Sequence, residues 1–239
     1  MAVRLLVQDQ RVAKHLVTFD HNRIPRKSPA ALPNRTLKFM ELKTEFLREL
    51  SDLLVSDLRS SLYYKQLSPA EQTSLEERLS EETAAGRLPL LPGALNQTML
   101  EETKQKCAEV LGIEIPDELL QVYARVDGFS ENGVVLYGAE YEADTSWATV
   151  VNENSLLRDA LPEIGEKYLF IGESDLCYYV LEPESGVYGV VSRDTYEPLD
   201  HFESVNEIIN DMLAISLNKQ SERQSEGDQI VSPKLGIRP

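Results

Sequence analysis

Across Gly112-Ile113-Glu114-Ile115-Pro116-Asp117-Glu118-Leu119-Leu120-Gln121-Val122-Tyr123-Ala124-Arg125-Val126-Asp127-Gly128-Phe129 the chain turns from helix to strand. Pro116 suits the first helical position, because its fixed φ is already helical and its missing N–H is not needed there. Asp127-Gly128 is expected to close that helix, since glycine accepts positive φ. Beyond it, Gly133-Val134-Val135-Leu136-Tyr137-Gly138 and Tyr168-Leu169-Phe170-Ile171-Gly172-Glu173-Ser174 are apolar bursts between glycines. Both read as strands, with Val150-Val151-Asn152-Glu153-Asn154 between them.

Upstream, apolar residues recur at helical spacing from Thr36 to Gln66, through Met40, Leu47, Leu50, Leu54 and Leu58. Ser68-Pro69-Ala70-Glu71 is a capping box with proline at the first helical position, and the helix it opens should run toward Gly86. Residues 87–95 read as a connection that packs on a surface through Leu88, Leu90, Leu91 and Leu95. A second box at Thr98 opens a helix that Gly112 should end. Residues 2–24 read as one or two strands, and three prolines make 25–35 a loop.

Downstream, strands are expected at 133–138, 147–151, 167–172, 176–182 and 186–192, with a short helix at Asn152–Asp159. Pro183-Glu184-Ser185-Gly186 supplies hairpin chemistry, and a box at Ser204 starts a final helix through Leu217. The order gives an α+β fold, a single mainly antiparallel sheet packed by helices. A mainly helical extension, 1–95, packs on a module at 96–217, and 218–239 is a polar tail without periodicity, expected to be disordered.

The 239 residues carry a net charge of −16, unevenly spread. Residues 1–40 hold eight Lys/Arg against two Asp, whereas 96–215 hold six Lys/Arg against twenty-five Asp/Glu. Such a module repels phosphate, so nucleic acid is not expected as its partner. It should be steered toward a basic protein surface. No run of about 18 apolar residues offers a membrane span. With Cys107 and Cys177 the only cysteines, a reduced, cytoplasmic protein is expected.

No nucleophile elbow, phosphate loop, dinucleotide fingerprint or zinc motif occurs. His15, His21 and His201 lie far apart in sequence and have no partnering motif. Asp127, Glu131 and Asn132 miss the calcium-loop spacing. No catalytic residue, metal site or cofactor is therefore expected, and an enzyme built on carboxylates is the weakest reading. Binding residues are sought instead where aromatic rings adjoin negative charge. Those are Glu140, Tyr141, Glu142, Asp144 and Trp147 in one loop, Glu173 and Asp175 in another, and Tyr179 on a strand.

The ordered set of motifs from 96 to 217 resembles the SUKH superfamily, which includes fungal cell-wall assembly regulators and bacterial toxin-immunity proteins. The resemblance implies an α+β binding module. It also implies an immunity protein that neutralises a cognate toxin, encoded by an adjacent gene, by occluding its active face. The alternative it carries is a non-catalytic regulatory scaffold.

Overall fold

Ser68 accepts the N–H of Glu71, and Glu71 reaches back to the N–H of Ser68 at 2.8 Å, so the box read from the sequence is complete. It opens α3 (Pro69–Ala84). The computed structural model describes residues 41–91, 93, 97–139 and 148–219. The strands and loop expected within 1–40, and the tail beyond 219, lie outside them.

The long helix expected through Gln66 is two. α1 (Thr44–Ser60) ends at Ser61, whose extended backbone and hydroxyl start α2 (Leu62–Gln66) by accepting the N–H of Tyr64. α4 (Gln97–Lys106) begins before Thr98, which is therefore inside the helix and not its cap. α4 continues as a π-helical turn, Cys107–Leu111, and Gly112 ends it at φ +63° as expected. α5 (Asp117–Tyr123) has Pro116 as its N-cap, one position earlier than its sequence suggests. Gly128 does not close α5. Its φ of +77° instead turns the chain into the sheet, where a Cβ would stand 2.9 Å from the Gly138 nitrogen.

The sheet is a six-stranded antiparallel meander in chain order, and the fold is α+β. β1 (Phe129–Glu131) and β2 (Val134–Leu136) form a tight hairpin. After α6 (Val150–Ala160) and α7 (Pro162–Lys167) come β3 (Leu169–Glu173), β4 (Cys177–Glu182), β5 (Val187–Ser192) and β6 (Pro198–Phe202). The β4–β5 hairpin turns through Gly186 at φ +70°, as its sequence requires. Of the strand expected at 147–151, position 147 lies outside the described residues, and Val150 and Val151 instead begin α6. Thr149 caps it by accepting the N–H of Asn152 at 3.2 Å, which overrides the strand preference of Val150 and Val151.

α8 (Val205–Ser216) lies on the sheet with Ile208, Ile209, Met212 and Leu213 fully buried. Each such side chain is worth about 1.5–3 kcal/mol. Gly172 makes the fit, because a Cβ there would stand 2.6 Å from the Met212 methyl and 2.4 Å from the Val135 carbonyl. Leu42, Leu47, Leu50 and Leu91 belong to the same core as the strands, so the sequence boundary at 95 marks no break in packing.

β2 stops while β3 still has an open edge. Phe170 sits opposite Val180 of β4, and its N–H and carbonyl both bond the buried amide of Asn154, at 2.8 and 2.7 Å. The Asn154 amide also donates to the Val150 carbonyl at 2.7 Å. Replacing it with alanine strands two buried backbone groups, each costing about 1–3 kcal/mol. Asn154→Ala should therefore lower the urea midpoint sharply without changing the slope. Asn154→Asp should not rescue it, because a carboxylate offers no donor to Phe170. Equilibrium unfolding of both variants checks this.

Candidate partner-binding face

The meander gathers its β1–β2, β3–β4 and β5–β6 turns at one end of the sheet. Arg193, in the last of these, ties two of them together. Its backbone N–H donates to the Leu176 carbonyl at 3.0 Å, and its guanidinium to the Ser174 carbonyl at 2.9 Å. The same guanidinium pairs with Glu173 at 3.2 Å and lies 4.8 Å over the Tyr178 ring. Tyr178 stacks on Tyr196 at 6.3 Å and meets the Phe170 edge at 5.0 Å. Cross-strand pairing sets Glu173 opposite both Tyr178 and Val135, so these share one face of the sheet.

Leu176 projects from this end, 81% exposed, between exposed Asp175 and half-buried Cys177. Asp175 packs against the β1–β2 turn, where a Cβ on Gly133 would lie 3.2 Å from its carboxylate. Leu176 thus sets exposed apolar surface directly beside the Asp175 carboxylate.

On the same face, burial chiefly, and the Glu173 carboxylate second, push the Glu153 carboxyl above its ordinary range. The first turn of α6 favours a negative charge at Glu153, so burial and repulsion outweigh the helix end. Burial likewise raises the Tyr137 hydroxyl, with Glu173 and Glu153 the next causes.

The residues flanking the loop expected to carry the interface are described. The N–H of Ala139, at one end of it, donates to Asp127 at 2.6 Å, which gives Asp127 a structural task. Gly138 donates to Ala148 and accepts from Val150, so the two ends of the loop are held side by side. Glu140, Tyr141, Glu142, Asp144 and Trp147 lie outside the described residues.

Of the remaining expected binding residues, Glu173 and Asp175 reach this end of the sheet. Tyr179 does not reach its surface. It is 1% exposed, on the opposite side of β4 from Tyr178, and its ring belongs to the core. That corrects the expectation for Tyr179: both neighbouring tyrosines are covered, because α8 takes one face and the Arg193–Tyr196 turn the other. Leu176, Arg193 and Glu153 were not singled out by sequence. A lone leucine in a polar turn, and one of only two cations between 159 and 217, were the available signals.

His201 lies exposed on β6, and no group of acidic, His and Cys side chains among the described residues could hold a metal ion. No helix among them is long and apolar enough to cross a membrane. No protein-family model matches the chain, and no curated protein does.

Glu153 makes a prediction about pH. Its folded pKa is raised, so folding favours the protonated form, and the cost of the charged form disappears as pH falls through that value. Glu153→Gln should therefore melt higher than the parent at pH 7, with the gain vanishing in the acid range. Thermal melts across pH 4–8 check it; a variant less stable at pH 7 would contradict the assignment.

Proposed function

We propose that this chain is a non-catalytic binding protein of the immunity type, acting in the cytoplasm on a basic toxin whose active face it occludes. The observation that carries the reading is the exposed Leu176 beside Asp175, at the end of the sheet where Arg193 pairs with Glu173. The acidity of residues 96–215 supports it, since a basic toxin would be drawn to such a surface at a steered rate. The choice of a toxin, rather than another basic protein, follows from the SUKH resemblance. The contact would be made by the Leu176 end of the sheet.

The arrangement suits binding better than chemistry. Arg193 is held by Glu173, the Ser174 carbonyl and the Tyr178 ring, so it serves to fix the turns. Glu153 is half-buried and charged at a cost, a state that a partner's cation would relieve.

Co-expression with the product of the adjacent gene tests the reading. The expected result is a tight complex and restored growth. Leu176→Asp should weaken that complex at least about tenfold, while leaving the melting temperature unchanged, since the side chain is 81% exposed. Reversing Glu140, Glu142 and Asp144 together should slow association and flatten its salt dependence. No complex and no effect on growth would overturn the toxin reading in favour of a regulatory scaffold.

A further inference from the structure

The corner where α6 meets the sheet holds two polar groups that the fold leaves unmatched. Tyr137 follows β2 and still runs beside β3, its N–H donating to the Ile171 carbonyl at 3.0 Å. Two positions beyond Val135, it stands on the same face as Val135 and Glu173. That face is turned away from α8, which packs over Gly172 on the other side. The next residue, Gly138, bridges to Thr149. Glu153 lies one helical turn further on, its N–H donating to the Thr149 carbonyl at 3.0 Å. Residues four apart on a helix share a side, so Glu153 is brought toward the end of β2. Its charge and that of Glu173 both reach the Tyr137 hydroxyl.

Tyr137 is 1% exposed, yet no hydrogen bond with another described residue holds its hydroxyl. Buried hydroxyls ordinarily have such a partner. Its oxygen is not sealed off, because the Tyr123 hydroxyl is the one sealed polar side-chain atom without a partner among the described residues. Glu153 is half-buried, and no hydrogen bond or ion pair with another described residue offsets its burial and the repulsion from Glu173. Glu173 differs, being paired with Arg193 at 3.2 Å, and contributes only its field. Tyr137 and Glu153 interact through charge but do not bond each other. A donor placed between them would meet both.

That donor should be positive and singly charged. At the Tyr137 hydroxyl, two carboxylates act against the one guanidinium of Arg193, so one negative charge is uncompensated. A divalent metal needs more convergent ligands, and among the described residues no group of acidic, His and Cys side chains supplies them. An ammonium carries three donors that rotate freely, so it can bond a carboxylate and a hydroxyl from separate directions. A guanidinium is a planar fork, matched to both oxygens of one carboxylate.

We propose that this corner binds a single primary ammonium group, between the Glu153 carboxylate and the Tyr137 hydroxyl. The inference rests on reading this face as a binding face, and it names the chemistry that the face takes. Glu153 is then a group that costs stability in the free chain and returns it on binding.

The full ¹⁵N-labelled chain is titrated at fixed ionic strength with Nα-acetyl-lysine-N-methylamide and with n-butylammonium chloride. The control is the norleucine analogue of the first probe, which lacks the ammonium. Saturable amide shifts at Tyr137, Gly138 and Thr149–Glu153 are expected with an ammonium probe and absent with the control. Glu153→Gln should weaken binding at least about tenfold while melting higher than the parent, so the loss is not one of folding. Tyr137→Phe keeps the ring and should weaken binding about fivefold. Binding of both ammonium probes supports the site with a protein lysine as its source, and binding of n-butylammonium alone supports it with a free amine. Neither ammonium probe shifting these amides, the control shifting them equally, or Glu153→Gln binding as the parent does would overturn the proposal. Because the probes meet the chain alone, their failure removes the ammonium site and leaves the co-expression result standing.

Discussion

The side-chain amide of Asn154 takes the place of a peptide group at the unfinished edge of the sheet. β2 is three residues long and β3 five, so β3 has backbone groups with no strand beside them. Buried backbone groups must be paired, and Asn154 pairs both of those on Phe170 while holding the Val150 carbonyl in its own helix. One side chain thus fixes where α6 meets the sheet. That in turn sets Thr149 against Gly138 and brings Glu153 near Glu173. The whole of the proposed binding face takes its position from this junction.

A second buried asparagine repeats the device at the other side of the molecule. Asn210 of α8 accepts the N–H of Lys43 at 2.8 Å and donates to the Glu41 carbonyl at 3.0 Å. The segment entering α1 is therefore bonded to the last helix as a strand would be bonded to its neighbour. Lys43 and Lys219 both lie over the Phe46 ring, at 4.8 and 4.5 Å, so the segment entering α1 and the one leaving α8 meet there. Arg158 acts in a related way, donating to the carbonyls of Leu111 and Gly165 and so capping two helical ends with one guanidinium. Polar side chains here complete the backbone where regular structure stops.

What could be read in the sequence was what local chemistry decides. The Ser68 box, the Pro183–Gly186 turn and the Gly112 stop each depend on residues within four positions of one another, and each stands as its sequence indicates. At Ser204 only half the box forms, because Glu207 bonds the N–H of Glu203 instead. What could not be read depends on distant partners. β1 and β6 are short edge strands, one three residues long and the other mostly exposed, so neither shows the alternation that reveals a strand. Val150 and Val151 favour a strand by themselves, but Thr149 and Asn154 make them a helix. Of the five carboxylates singled out, the two among the described residues, Glu173 and Asp175, reach one end of the sheet. Tyr179 does not, since its burial is decided by α8, thirty residues on.

Charge and packing act together at the turn end. Arg193 is placed where three acceptors and an aromatic face already converge, so it holds the turns without leaving the face positive. Leu176 is left outward because the β3–β4 turn is too short to fold it back. Both features presuppose a rigid β3, and its rigidity rests on the Asn154 junction. Amide hydrogen exchange of the native chain tests this most directly, read at Phe170. If Asn154 completes the sheet, the Phe170 amide will be as protected as those in the middle of β4 and β5 and will open only with global unfolding. A Phe170 amide exchanging as fast as those of the exposed turns would contradict the account.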